Sequence, residues 1–289
     1  AIEANGGVLP KVFPAWSKAA RDRIADVGSI APDVMFVAAG DFACDLVHDG
    51  VAAGGIAPTP LGALAVAGIP AKGLTLEPSA EDDAGIVHDL GAGVVAVAAR
   101  YDVPRESCRE WATTLLSAVN PSRVVVLCAV DEHDVGYGVD GYRGSFVLDT
   151  AAQRCGIHSL SLSDDDDERS PRALPAGALI EGIAAAVAAR CEMTGVPARI
   201  VAVPAPSGTA GARGFGNGRH GGGPARRRRG IGPGFGGGVD GAAASHAVLL
   251  TQRACGIDFG VFGPSVHSVG ASSKKPTSAV VDDGMRVYT

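Results

Sequence analysis

Four polar residues in a row, Asp131-Glu132-His133-Asp134, follow Ala129-Val130 at the end of the apolar run Val124-Val125-Val126-Leu127-Cys128. Carboxylates beside an imidazole can hold a metal ion or move a proton, and in open α/β sheets ligands collect beyond the carboxyl ends of the strands. The same four residues also suit an exposed loop. A phosphate-binding turn would place glycines between a strand and the next helix, so that N–H groups at the helix start face the anion. Gly91-Ala92-Gly93 precedes its apolar run instead, and Gly40-Asp41-Phe42 has one glycine and an acidic side chain that repels phosphate. There is no Gly-x-Ser-x-Gly turn and no His-Glu-x-x-His helix, and the seven histidines (His48, His88, His133, His158, His220, His246, His267) are scattered. The cysteines Cys44, Cys108, Cys128, Cys155, Cys191 and Cys255 form no Cys-x-x-Cys pair and read as reduced, mostly core thiols.

The charge is divided unevenly along the chain. Ser207 to Gly241 carries six Arg against one Asp, which leaves 19 basic and 30 acidic residues elsewhere, a net of −11 beneath the overall −6. This segment holds 15 glycines in 35 residues and the run Arg226-Arg227-Arg228-Arg229, a composition that cannot bury a core and predicts disorder. Clustered guanidinium groups (Arg213, Arg219, Arg226 to Arg229) can attract RNA by releasing counterions from its phosphates, although Phe215 and Phe235 offer little base stacking. Asp164-Asp165-Asp166-Asp167-Glu168 is a like-charge block that belongs in a solvated loop.

Four apolar runs of strand length must position these residues: Val34 to Ala39, Val94 to Ala99, Val124 to Cys128 and Arg199 to Val203. They lack polar alternation, as strands covered on both faces do. Between the second and third, Pro104 opens a segment in which Cys108, Trp111, Ala112, Leu115, Leu116 and Val119 recur at helical spacing until Asn120-Pro121 stops it. Strand, helix, strand is a parallel unit with a right-handed crossover. A second helix is expected from about Leu174 to Thr194, with Pro175 in its first turn and Gly195 just past its end. The pattern predicts an α/β fold, a mainly parallel sheet covered by helices on both faces. We expect one domain over residues 1–271, interrupted by the loop at 207–241, and a flexible polar tail at 272–289.

Apolar residues make up 46% of the chain and aromatics only 5%, so the core must be built from closely packed small aliphatic side chains. No run of about 18 apolar residues occurs, and Ala1 to Val12 lacks the basic-then-apolar order of a secretory signal. The expectation is a soluble, unexported chain without a membrane partner, in the cytoplasm or also the nucleus.

Several stretches resemble the proteasome assembly chaperone family, most closely the type called proteasome assembly chaperone 1. One is Leu174 to Ala198, similar to the family's helix that leads through a short turn into a buried strand. A second is Val94 to Val130, with a Trp-bearing helix between two strands, followed by the stretch around Tyr137 and Tyr142. The third is the end of the sequence, Val287-Tyr288-Thr289, which fits the hydrophobic-Tyr-any pattern that such proteins insert into pockets of the proteasome core. From Pro204 to about Ala244 the family's fold is replaced by the Gly/Arg loop, and Ser245 to Gly270 matches only vaguely.

The resemblance implies a nucleoside-phosphorylase-like fold without the catalytic residues, paired with a sister chaperone as a heterodimer. It further implies binding to the α subunits of the core proteasome through Val287, Tyr288 and Thr289, no enzymatic activity and no cofactor. A terminal position has a physical reason. The last residue alone carries a free carboxylate able to pair with a lysine at the bottom of a pocket, while Tyr288 supplies a ring to bury and Val287 apolar contact. Two other readings stand beside it: a nucleoside-phosphorylase-like enzyme using Asp131 to Asp134, and an RNA-binding protein using the Gly/Arg loop.

Overall fold

The computed structural model describes residues 12–40, 42–45, 56–67, 85–100, 103–135, 142, 144–155, 171–205 and 241–256. Its nine strands are β1 (Val12–Trp16), β2 (Val34–Ala39), β3 (Thr59–Val66), β4 (Ile86–Gly91), β5 (Val94–Ala99), β6 (Arg123–Asp131), β7 (Phe146–Asp149), β8 (Arg172–Ala173) and β9 (Ala198–Ala205). They form one sheet in the order β1-β3-β4-β5-β2-β6-β9-β7-β8. The four runs read as buried strands are β5, β2, β6 and β9, and these lie side by side and parallel at the centre. Antiparallel strands β1, β3 and β4 extend one side, and β7 pairs antiparallel with β9 on the other.

The helices are α1 (Lys18–Val27), α2 (Arg105–Ala118), α3 (Ala151–Cys155), α4 (Gly182–Thr194) and α5 (Gly241–Cys255). Because side chains alternate along a strand, β2 sends Met35 and Val37 to one face and Val34, Phe36 and Ala38 to the other. The first face packs under α1, α2 and α4, where Trp111 and Leu115 of α2 and Val187 and Cys191 of α4 are fully buried. The second packs under α5 and the helical stretch at 42–45, through Ala247, Val248, Ala43 and Cys44. Burial on both faces is why these strands show no polar alternation.

Local chemistry accounts for the helix ends. Ser17 caps α1 by accepting the Ala20 N–H at 3.3 Å, and Gly28, in the left-handed conformation at φ +86°, closes it. Pro104 caps α2, and the chain leaves it extended at Val119. Gly195 ends α4 at φ +70°, as expected, but α4 begins at Gly182 and not at Leu174. Leu174 still donates to the Val147 carbonyl as the chain leaves β8. Ala178 N–H then closes a turn onto the Pro175 carbonyl, and Gly177 stands at φ +96°, a left-handed conformation that no right-handed helix contains.

Among the described residues β1 ends the sheet, and two of its backbone positions offer no free donor. Pro14 has no N–H to offer, and the Val12 N–H is taken at 3.2 Å by Glu110 Oε1 of α2.

Candidate functional site

At the carboxyl end of β6, Asp131 uses its own carboxylate to fold the chain back. Its Oδ1 accepts the His133 N–H at 2.9 Å, its carbonyl accepts the Asp134 N–H at 3.1 Å, and Glu132 N–H reaches the Ala205 carbonyl of β9 at 3.0 Å. Val135 is buried beneath this turn while His133 and Asp134 point to solvent. The Asp131 carboxylate therefore serves the backbone, and the arrangement is that of the exposed loop. Among the described residues no three His, Cys, Asp or Glu side chains stand together as a metal site.

The neighbouring strand ends are bound up in the same way. Gly40 N–H donates to Ala99 at the end of β5, and Asp45 pairs with Arg100 at 3.1 Å. Gly91-Ala92-Gly93 is the tight turn joining β4 to β5, at φ +78°, +48° and +75°, with the Asp89 carboxylate holding the Gly91 N–H at 2.8 Å. Gly93 is favoured by its φ of +75°, and a β-carbon there would also displace the Asp33 carboxylate.

Five of the six cysteines are buried and none of the six is in a disulfide; Cys155 alone is exposed. Burial pushes the thiols of Cys128, Cys191 and Cys255 up to about 12, with only partial opposition from Arg190 at Cys191 and Arg123 at Cys255. Cys108 Sγ is turned onto the Val103 and Pro104 carbonyls at 3.3 and 3.4 Å. It lines a cavity of about 180 Å³ with Arg105, Glu181 and Gly182, where the exposed Arg105 guanidinium meets both Glu181 carboxylate oxygens at 2.7 Å.

A polar cluster that the sequence alone does not reveal lies beside β7. Tyr142 donates its hydroxyl to the Ser145 carbonyl at 2.6 Å and receives the Arg172 N–H at 3.2 Å, while the Arg172 guanidinium lies 4.3 Å over its ring. Phe146 meets that ring edge-on, with centroids 5.3 Å apart. Ser145, fully buried, directs its N–H (3.0 Å) and its hydroxyl (2.9 Å) to Nδ1 of His246 on α5. The earlier signal here is Tyr142 itself, in the stretch already marked by resemblance.

Val287, Tyr288 and Thr289 lie outside the described residues, as do Tyr137, the acidic block at 164–168 and the Gly/Arg segment at 207–240.

No protein-family model and no curated protein matches the sequence. Solved structures do match in fold. The chain is similar to Pyrococcus furiosus PbaA, an archaeal homolog of proteasome-assembly chaperone, with a TM-score of 0.52 at 12% identity over 86% of this chain and 83% of that one. It is also similar to Pyrococcus furiosus PbaB, an archaeal proteasome activator, with a TM-score of 0.51 at 10% identity over 87% of this chain and 92% of that one. At such identities the likeness is one of fold, the fold shared with PbaA and PbaB.

Proposed function

We propose that this chain is a proteasome assembly chaperone that pairs with a sister chaperone, binds the α-subunit ring of the core proteasome through Val287, Tyr288 and Thr289, and promotes ring assembly. The observation that carries the reading is the fold, which follows a chaperone homologue and a proteasome activator over more than four fifths of the chain. The Asp131 carboxylate closes a turn, and the buried Cys128, Cys191 and Cys255 thiols are held neutral. The role calls for no cofactor and places the chain with its partners in the cytoplasm or nucleus.

The test is an affinity capture with the full chain and with a chain lacking residues 287–289, from cells of its own source, identifying the bound proteins. The full chain should recover proteasome α subunits and a second chaperone, and the deletion should recover fewer α subunits. Recovery of neither by the full chain would overturn the proposal.

A further inference from the structure

The bond between Ser145 and His246 fixes the chemical state of the imidazole. A backbone N–H can only donate, so the Ser145 N–H at 3.0 Å calls for a lone pair on Nδ1, the tautomer with its proton on Nε2, while the hydroxyl at 2.9 Å can take either role. Both partners are anchored. Ser145 is fully buried and held through its carbonyl by Tyr142, which Arg172 holds in turn. His246 sits on α5, the helix covering β9, β6 and β2 on the second face of the sheet.

We propose that His246 is an acid-sensitive latch: its neutral imidazole fastens α5 to the 144–146 stretch, and protonation at Nδ1 releases the helix from the sheet. Once Nδ1 carries a proton the Ser145 hydroxyl can turn to accept it, but the Ser145 N–H, which can only donate, loses its acceptor. Histidine makes this change within the range of ordinary cellular and endosomal acidity.

The charged groups on the described elements packed against α5 are as follows. The β2 strand carries none, β6 has Arg123 and Asp131 at its ends, and Arg199 of β9 is held by Asp149 of β7. Asp45 of the 42–45 stretch is paired with Arg100, Arg172 of β8 lies over Tyr142, and α5 itself carries Arg253. Cys128 and Cys255 stay neutral throughout, with thiols up at about 12. The pairings engage the carboxylates of Asp45 and Asp149 with Arg100 and Arg199.

The experiment is hydrogen exchange of the full chain at pH 7.5 and 5.5, corrected for the intrinsic effect of pH on exchange. Protection of the α5 amides relative to those of β6 should fall roughly ten- to a hundredfold on acidification. His246→Gln, whose amide oxygen accepts the Ser145 N–H at either pH, should lose that dependence. Should the variant fail to fold, the ring tautomer of the wild-type protein, read from its ¹⁵N shifts at pH 7.5, tests the same claim: Nε2–H supports the latch and Nδ1–H overturns it. Unchanged relative protection at pH 5.5, or an equal fall in His246→Gln, also overturns it.

Discussion

Arg199 of β9 and Asp149 of β7 stand opposite one another in register and share two hydrogen bonds, Nε to Oδ1 at 2.7 Å and Nη2 to Oδ2 at 2.8 Å. The arginine side chain is only 6% exposed and the aspartate 19%, so this forked pair lies inside the sheet where the parallel centre meets its antiparallel flank. Removing one member strands the other charge away from water. Arg199→Ala should cost about 3–5 kcal/mol of stability by denaturant unfolding, and the paired change Arg199→Met with Asp149→Leu should recover most of it. A single variant as stable as the parent would show that the pair contributes nothing.

The buried thiols predict an alkaline limit. Cys128, Cys191 and Cys255 titrate near 12 in the fold, against an ordinary value of 9.0. Between those values the unfolded chain releases protons that the folded chain keeps, so rising pH favours unfolding. The sign is therefore a stability insensitive to these thiols below about pH 9 that declines between about 9 and 12. Unfolding midpoints measured across this range should drift downward, and less so when Cys128 is replaced by Ala in a parent that still folds. The same burial means that one thiol, Cys155, should react promptly with a disulfide reagent at pH 8, the buried five waiting on unfolding.

The centre of the fold is legible in the sequence and its margins are not, for a physical reason. Strands β5, β2, β6 and β9 are covered twice, so each reads as an unbroken apolar run. The antiparallel strands on one flank carry residues that argue against a strand when read alone: Pro14 in β1, Pro60 and Gly62 in β3, His88 and Asp89 in β4. Pro14 lies in the end strand β1 and Pro60 beyond the stretch of β3 that pairs with β1, where a missing N–H is tolerated, and Gly62 is needed because a β-carbon there would collide with the Trp16 ring. Helix α4 is legible at its end, where Gly195 must be left-handed, and not at its start. The residues from Leu174 to Glu181 are apolar enough to continue the helix, but Leu174 is bonded to β7. The Ser145–His246 contact spans 101 positions and follows no spacing rule.

The tail reading makes a prediction sharper than deletion. If the free terminal carboxylate is what a lysine in the receiving pocket recognises, its position matters as much as its presence. A chain extended by two glycines beyond Thr289 keeps Val287 and Tyr288 but moves the charge, and a charge-assisted hydrogen bond is worth about 1.5–3 kcal/mol. Binding to purified proteasome α rings should weaken roughly ten- to a hundredfold, about as much as on removing residues 287–289. Tyr288→Phe, which keeps the ring and loses the hydroxyl, should weaken it less. An extended chain that binds as tightly as the parent would mean that the terminus is not the docking element, and that any contact with the proteasome runs through the α/β body.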